Sequence, residues 1–454
     1  MTTLFAIWVA KITRRLSLVL KRGAGTTLPG LVAEKIQPDI ISILTNKIRG
    51  GVIVITGTNG KTTTAKMLAE ILTESGQEVI YNSTGSNLAR GVASILIQRA
   101  TIFGRVKGDI AIFEVDEATM PEIVSKMTPK TVLVTNLFRD QLDRYGELDK
   151  TAEIIGGALR KIPRAKVLLN ADDPLVATLS RYNENVVYYG LEDDYKTKSI
   201  GAIDSKDCLG CGHELVYSSR YFGHLGRYKC SNCDFIRPKP TYILSGLKLS
   251  VEKSQAVFAT PEVKKEITVN IPGVYNLYNA LAAASLANEI GVGAALVESG
   301  LNKVSAAFGR MERIKMTDRE FYLLLVKNPT GLTQALETLT LDNKPKSILF
   351  ALNDNYADGT DVSWIWDAEV EIIADLSRLV VVSGIRAEDM MLRLKYGRFD
   401  MTKISMEKNL ERAIDQALAE MPLNETLYVL PTYTAMLGIR RLLHNRGLVK
   451  GLME

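Results

Sequence analysis

Residues 57–63 carry the strongest structural signal in this sequence, a glycine-rich loop that reads Gly57-Thr58-Asn59-Gly60-Lys61-Thr62-Thr63. The loop follows an apolar run at residues 51–56, which predicts a short buried strand, and precedes residues 62–75, which predict a helix. Backbone N–H groups in such a loop bind phosphates, while Lys61 reaches the β- and γ-phosphates and Thr62 ligates Mg²⁺. The pattern therefore predicts that all seven residues form a nucleotide-binding loop.

Further apolar runs alternate with helical stretches on both sides of this loop. This alternation predicts a doubly wound parallel α/β sheet, with its ligands at the carboxyl ends of the strands. The next predicted strands of the sheet are residues 110–115, 131–135 and 166–169. A second alternation begins near residue 316 and predicts a separate C-terminal α/β domain with strands at 321–326, 347–352, 379–383 and 426–430. We therefore expect an N-terminal helical segment at 1–44, a central domain at 45–314 and a C-terminal domain at 315–454.

Composition limits the class of protein. The 454 residues are 46% hydrophobic and 24% charged, which is typical of a globular multidomain protein, and a net charge of +5 is too small to indicate nucleic acid by itself. No apolar run is long enough for a membrane-spanning helix. Residues 1–20 are apolar with interspersed basic residues, and we expect a helix that packs on the main body or lies on a membrane surface.

The four cysteines of the chain form one motif, in which two C-x2-C pairs are separated by eighteen residues. Such spacing is typical of a tetrathiolate zinc ribbon, and it predicts an insertion at residues 205–240. Two disulfides are the alternative. A closed four-thiolate site has no open position for substrate, so its role is structural, and we expect His213 and His224 to be surface residues. The predicted zinc ligands are Cys208, Cys211, Cys230 and Cys233.

The short loop form G-T-N-G-K-T resembles the ATP loop of the Mur ligase and folylpolyglutamate synthetase superfamily. The run Phe113-Glu114-Val115-Asp116-Glu117 resembles the acidic strand end of this family, whose glutamate binds Mg²⁺. This resemblance implies Glu114 as the Mg²⁺ ligand beside Thr62, with Glu117 as the second choice. One carboxylate, one hydroxyl and ATP oxygens are sufficient, because Mg²⁺ usually keeps several waters.

Other family motifs follow in order. Residues 135–143 are similar to the T-N-x-x-x-D-H-L-D stretch, with Gln141 in place of histidine, and residues 170–174 resemble the N-x-D-D-P turn. Residues 272–280 resemble the helix start whose asparagines lie beside adenine and a second metal, which implies roles for Asn276 and Asn279. The alternative is that Asn276 only caps the N-terminus of the helix.

Two further motifs concern the entry into the C-terminal domain. The resemblance of Arg310 to the arginine of the family's G-R-x-E junction implies that Arg310 approaches the ATP phosphates. Residues 326–329 stand where the family has D-Y-A-H-N-P and lack its aspartate and histidine, so the C-terminal side of the site is altered. Together these motifs imply a Mur ligase-like ATPase domain with an inserted four-cysteine ribbon.

About fifty residues precede the loop, whereas typical Mur ligases carry a full UDP-binding domain there. This feature, the ribbon and residues 354–364 resemble, within the Mur ligase family, the ligase subunits of lipid II isoglutaminyl synthases. The resemblance implies ATP-dependent amidation of the α-carboxylate of the second-position D-glutamate in the lipid II stem peptide, through an acyl phosphate. It also implies a heterodimer with the glutaminase subunit GatD, ATP, Mg²⁺ and Zn²⁺ as cofactors, and action in the cytoplasm at the inner face of the membrane.

The cysteine count supports a separate glutaminase, because such an enzyme needs a thiolate and a histidine, and a zinc ribbon uses every cysteine here. The alternatives are a folylpolyglutamate synthetase-like ligase that adds an amino acid, and a zinc-ribbon adaptor or nucleic-acid-binding ATPase.

The resemblance further implies that this chain lends an aspartate to the catalytic pair of its partner. The acidic stretch 354–361 follows the predicted strand at 347–352, and Asp354 is the first choice in it, followed by Asp358 and Asp361. The alternative is a loop that only turns the chain.

Overall fold

The computed structural model of the chain describes residues 2–19, 27–82, 88–140, 148–197, 204–304, 310–316, 319–423 and 425–449. Among the residues described, three helices precede the first strand, and they pack together on the same side of the central sheet as α5 (Ala89–Arg99). These helices are α1 (Thr2–Val19), α2 (Leu28–Ile36) and α3 (Ile40–Thr45). None of the helices described has both the length and the apolar character needed to cross a bilayer.

The central sheet contains nine strands in the described part of the chain, in the order β11-β10-β9-β6-β5-β4-β1-β3-β2. The predicted doubly wound parallel sheet is confirmed for the neighbouring strands β9, β6, β5, β4, β1, β3 and β2. Strands β10 and β11 extend it as an antiparallel edge, which the sequence did not predict. The strands are β1 (Val52–Thr56), β2 (Val79–Tyr81), β3 (Ile110–Glu114), β4 (Thr131–Val134), β5 (Lys166–Asn170), β6 (Val186–Leu191), β9 (Tyr242–Leu249), β10 (Ser254–Ala259) and β11 (Lys264–Val269).

Strand β1 is buried along its whole length, which explains its continuous apolar sequence. Its alternate side chains enter two different cores, Ile53 and Ile55 on one face and Val52 and Val54 on the other. Helices cover both faces: α4 (Lys61–Glu74), α5 (Ala89–Arg99), α6 (Met120–Lys126), α7 (Leu148–Arg160), α8 (Pro174–Ala177), α9 (Val274–Glu289) and α10 (Ala294–Lys303).

The cysteine-rich insertion lies between β6 and β9 and contains an antiparallel hairpin of β7 (Leu215–Phe222) and β8 (Leu225–Cys230). The surface position expected for His224 is wrong. His224 is fully buried, with its ring centroid 4.5 Å from that of Phe138 and its Nε2 3.4 Å from Asp173 Oδ1. The hairpin turn is seated on the central domain, and sequence patterns of the ribbon alone do not reveal this contact. His213 is exposed, as expected.

The C-terminal sheet has the order β12-β13-β17-β14-β15-β16, and β12 is its one antiparallel strand among the residues described. It begins at Arg310, a few residues before the boundary predicted at 315. The strands are β12 (Arg310–Lys315), β13 (Glu320–Leu324), β14 (Lys346–Ala351), β15 (Ser377–Ser383), β16 (Ile404–Met406) and β17 (Thr426–Pro431). The helices are α11 (Pro329–Leu339), α12 (Ala387–Tyr396), α13 (Leu410–Glu420) and α14 (Tyr433–Asn445).

Candidate active site in the interdomain cleft

The glycine-rich loop connects the carboxyl end of β1 to the first residue of α4. Gly57 and Gly60 have φ angles of +119° and +89°, which favour glycine. A Cβ at Gly57 would lie 2.3 Å from Thr135 Oγ1, and one at Gly60 would lie 2.1 Å from Asn279 Oδ1. Both conformation and space therefore require glycine at these two positions.

Lys61 lies at the N-terminus of α4 and is almost fully buried. Its Nζ donates to the Gly57 carbonyl at 2.6 Å and lies 3.4 Å from Glu117 Oε2 and 3.5 Å from Asp116 Oδ1. A buried ammonium needs such partners, because desolvation without them is costly. The loop therefore holds a cation against its own backbone, where the phosphates of a nucleotide would lie.

Thr62 and Glu114 face each other across the ends of α4 and β3. The Thr62 hydroxyl donates to Glu114 Oε2 at 2.7 Å, and the Tyr81 hydroxyl donates to Oε1 at 3.2 Å. Glu114 is fully buried, and its backbone N–H donates to Asn82 Oδ1. The geometry thus separates the two candidate glutamates: Glu114 contacts Thr62, and Glu117 contacts the lysine. A hydroxyl beside a carboxylate is an oxygen pair that suits Mg²⁺.

Asn59 connects the loop to both domains. Its backbone N–H donates to Asn136 Oδ1 at 2.9 Å, and its side-chain Oδ1 accepts from Asn328 Nδ2 at 3.1 Å. Asn328 caps the N-terminus of α11 in the C-terminal domain. The preceding Lys327 pairs with Asp140 of the central domain at 2.5 Å. Residues 326–329, which the sequence marked only as altered, therefore join the C-terminal domain to the phosphate loop.

A cleft of about 820 Å³, including its open mouth, lies between the two domains at this loop. The cleft includes loop residues, both predicted asparagines, the ribbon residue Phe222 and the start of α11. Its walls contain Asn59, Gly60, Thr63, Asn136, Phe222, Tyr275, Asn276, Asn279, Met311, Leu324, Leu325, Lys327, Thr330, Gly331, Gln334 and Ala335.

Asn276 and Asn279 lie on one face of α9 and are hydrogen-bonded to each other, from Nδ2 of Asn279 to Oδ1 of Asn276 at 3.3 Å. The alternative that Asn276 caps the helix is wrong. The helix begins after Gly273, and the side-chain Nδ2 of Asn276 donates to the Pro272 carbonyl. Asn279 Oδ1 also accepts from Thr64 of α4. This pair therefore joins α9 to the nucleotide loop.

Two residues named in the sequence prediction cannot be placed in the cleft from the described part of the structure. Arg310 begins β12, but its side chain is outside the described part of the structure, and so is the whole of Gln141.

Asp172, in the turn after β5, is fully buried and was seen in the sequence only as part of a turn motif. It accepts from Arg237 Nε at 2.5 Å, from the Tyr278 hydroxyl at 2.7 Å and from the Leu191 backbone N–H at 2.7 Å. Burial raises the pKa of Asp172, and the Arg237 guanidinium opposes this shift. Arg237 follows the ribbon, and Tyr278 lies between the two asparagines of α9. Asp172 thus joins the ribbon to the cleft wall.

The four cysteine sulfurs lie within 4.8 Å of one another, with 3.7 Å between Cys208 and Cys233 and 3.4 Å between Cys211 and Cys230. A tetrahedral Zn²⁺ with sulfur ligands at about 2.3 Å separates its sulfurs by about 3.8 Å. Backbone N–H groups also donate to Cys208 Sγ and Cys230 Sγ and hold these two sulfurs in place. The residues therefore fit a zinc ion.

The three candidate aspartates of the C-terminal loop have different surroundings. Asp358 is buried and accepts from the backbone N–H of Thr434 at 2.7 Å. Asp361 accepts from the backbone N–H and hydroxyl of Ser363. Asp354 is one quarter exposed and forms a long ion pair with Arg386, with 3.7 Å between Oδ2 and Nη1. Local structure therefore occupies Asp358 and Asp361 more fully than Asp354.

The fold and the loop define a class of ATP-dependent ligases. Residues 55–233 match the family model described as the Mur ligase middle domain, and residues 325–436 match the MurT ligase C-terminal model. Among solved structures, a pseudomurein peptide ligase type C from Methanothermus fervidus aligns with a TM-score of 0.68 and 25% identity, covering 89% of this chain and 80% of that one. MurF from Acinetobacter baumannii aligns with a TM-score of 0.65 at 17% identity, covering 93% of this chain and 80% of that one.

Two relatives are similar over 95% of this chain and 95% of their own length. Both are named lipid II isoglutaminyl synthase (glutamine-hydrolyzing) subunit MurT, from Streptococcus pneumoniae (strain ATCC BAA-255 / R6) at 37% identity and from Staphylococcus aureus (strain COL) at 33%. The chain belongs to the MurT family of Mur-type ligases.

Proposed function

We propose that this chain is the ligase subunit of a lipid II isoglutaminyl synthase. It amidates the α-carboxylate of the second-position D-glutamate of the stem peptide, with ATP, Mg²⁺ and ammonia from a GatD-type glutaminase. The observation that carries the proposal is the glycine loop beside the interdomain cleft, where Lys61 bonds to the loop backbone and Thr62 bonds to Glu114, in a chain that aligns with MurT subunits over 95% of its length.

The reaction has two steps on this proposal. A carboxylate oxygen attacks the γ-phosphorus of ATP and ADP leaves; ammonia then attacks the acyl carbon, and phosphate leaves with that carboxylate oxygen. Lys61 stabilises charge on the transferring phosphoryl group. Thr62 and Glu114 would hold Mg²⁺, which would neutralise charge on the β- and γ-phosphates. The resemblance of the G-R-x-E junction supports a role for Arg310 at the same phosphates.

Asn276 and Asn279 hold the nucleotide at the part of the cleft wall that adjoins the glycine loop. Their position between α9 and the glycine loop supports this role, because Asn279 contacts Gly60 and Thr64. Both domains contact the nucleotide on this proposal, and they hold it in the orientation that phosphoryl transfer requires.

The ammonia comes from a separate glutaminase. The chain has four cysteines, and all four converge in the ribbon, where we propose that they bind one structural Zn²⁺. A Cys-His glutaminase needs a third group that orients its imidazole, and we propose Asp354 for this role in the partner. Its partial exposure at the carboxyl end of β14 supports the assignment over Asp358 and Asp361.

The test is reconstitution with two nitrogen sources. We expect the chain to amidate lipid II with ATP, Mg²⁺ and ammonium, and to do so with glutamine only when the glutaminase is added. Mass spectrometry of the stem peptide identifies the amidated carboxylate. Ligation of an amino acid in place of ammonia, or ATP hydrolysis that does not require lipid II, would contradict the proposal.

A further inference from the structure

Helix α1 is apolar on two opposite faces. Ala6, Ile7 and Ala10 are fully buried against the protein. The other face presents large side chains at helical spacing, all between 49% and 58% exposed: Phe5, Trp8, Ile12 and Leu16, here called the apolar stripe. Packing on the body explains the first face only.

The apolar stripe continues into a second segment of the chain, the turn after α5. Trp8 Nε1 donates to the Ile102 carbonyl at 2.8 Å, and Lys47 donates to the Gly104 carbonyl of the same turn. Ile102 is 54% and Phe103 80% exposed beside the stripe. Contiguous exposed apolar surface of this kind marks an interaction site more often than chance exposure does.

The two segments that form this surface carry only basic charges, and one of these, Arg99, pairs with Glu78 from outside them. Residues 2–33 contain no aspartate or glutamate, and neither do residues 98–108 around the turn. Partial burial, followed by the charges of Arg14 and Arg15, lowers the pKa of Lys11 beside the stripe. Arg15, Arg105 and Lys107 are exposed. An occupant of this surface must therefore be apolar in its centre and negative at its edge.

The position of the surface leaves the cleft open. Ile102 and Phe103 precede the amino end of β3, whereas the nucleotide loop follows the carboxyl end of β1, which is parallel to β3. The surface and the loop therefore lie at opposite ends of the strands, so a partner on the stripe does not cover the nucleotide loop.

We propose that the apolar stripe and residues 102–103 dock the protein onto an anionic lipid bilayer, with α1 parallel to the membrane plane. Apolar side chains enter the acyl boundary, the indole of Trp8 lies at headgroup level, and Lys11, Arg15 and Arg105 contact lipid phosphates. A second copy of this chain fits less well, because a twofold interface would bring the same positive charges together. The inference does not depend on which carboxylate is amidated.

The test is flotation of the full-length protein with vesicles. We expect binding to vesicles of phosphatidylglycerol and phosphatidylcholine, and little binding to phosphatidylcholine alone. The double variant Phe5→Ser/Phe103→Ser should lower the partition coefficient by about tenfold or more, because the two aromatic side chains that enter the bilayer are lost. The double variant Arg15→Glu/Arg105→Glu should lower the partition coefficient similarly. High salt should weaken the binding of the wild-type protein to anionic vesicles.

The matched control is Leu423→Ser in the C-terminal domain, where Leu423 is 64% exposed, and we expect its vesicle binding to equal that of the wild-type protein. Circular dichroism and amidation of detergent-dispersed substrate with ammonium should be unchanged in all variants. Absence of wild-type binding to anionic vesicles would overturn the proposal, as would equal binding by the Phe5/Phe103 variant. A change of mass by light scattering in that variant, without a change in vesicle binding, would assign the surface to a protein partner.

Discussion

Two loops of this chain occupy equivalent places in their sheets and differ in how they are bonded. The nucleotide loop follows the buried strand β1, and residues 353–362 follow the buried strand β14. Lys61 and Asn59 are bonded to the backbone and side chains of the same chain, from both domains. In the second loop, by contrast, Tyr356 is 82% exposed and Asp354 has one long ion pair among the contacts described.

The difference indicates which chemistry the chain completes alone. A parallel sheet presents loops at the carboxyl ends of its strands whatever their use. A loop whose charged groups converge within one chain can act by itself, whereas an exposed carboxylate at the same position is available to another protein. We therefore expect damage to the first loop to affect both nitrogen sources and damage to the second to affect glutamine alone.

The largest expected effect is that of Lys61→Ala. Loss of the charge at the transferring phosphoryl group should lower amidation by about 10³-fold or more with glutamine and with ammonium alike. The control is Lys161→Ala at the exposed end of α7, which should retain the wild-type rate. Turnover of the Lys61 variant within a few-fold of the wild type would end the phosphate-loop assignment.

Asp354→Asn should lower glutamine-driven amidation by about 10² to 10⁴-fold, because the imidazole of the partner loses its orienting carboxylate. The rate with ammonium should be unchanged, and so should association with the glutaminase. Asp361→Asn is the matched control, since its carboxylate is used by Ser363. Loss of partner binding in the Asp354 variant would make this residue structural instead.

Asp172→Asn tests the scaffold behind the first loop. Removal of this carboxylate leaves the largely buried Arg237 with Glu192 and the Leu191 carbonyl, and breaking such a pair should lower the free energy of unfolding by about 3–5 kcal/mol. Urea denaturation measures this change. The control Glu192→Gln affects the more exposed partner and should cost about 1 kcal/mol or less. Equal effects of the two variants would refute the assignment of Asp172 as the central contact.

Cys230→Ser should have the smallest effect on the chemical step, because Phe222 is the one side chain of the ribbon hairpin in the described wall of the cleft. Metal analysis should find one Zn²⁺ per wild-type chain and none in the variant, since removal of one thiolate opens a closed tetrahedral site. Ser231→Ala, the neighbouring control, should keep its zinc. Disulfides detected by mass spectrometry in the wild-type protein would contradict this prediction.

The sequence predicted what depends on local pattern. Continuous apolar runs correctly predicted β1, β3, β4 and β5, and the glycines and Lys61 correctly predicted a loop between β1 and α4, because strand burial and loop conformation depend on neighbouring residues. The binding of a nucleotide by this loop stays a prediction. The antiparallel extension of the sheet by β10 and β11 was missed, since β11 begins with the charged residues Lys264, Lys265 and Glu266 and has only two buried residues.

Contacts between distant segments could not be predicted in the same way. Asn328 bonds to Asn59 across 269 positions, and His224 is buried because the ribbon folds back onto Phe138. The choice between Glu114 and Glu117 likewise depends on which side chain meets Thr62, and that is a property of the tertiary structure.

The most direct test of the central claim follows an oxygen atom through the reaction. The D-glutamate α-carboxylate of lipid II is labelled with ¹⁸O, and the protein is supplied with ATP, Mg²⁺ and ammonium. If the cleft forms an acyl phosphate, each amide formed releases one phosphate that carries one ¹⁸O atom from the substrate. Amide formation with unlabelled phosphate, or labelled phosphate without amide, would contradict the account.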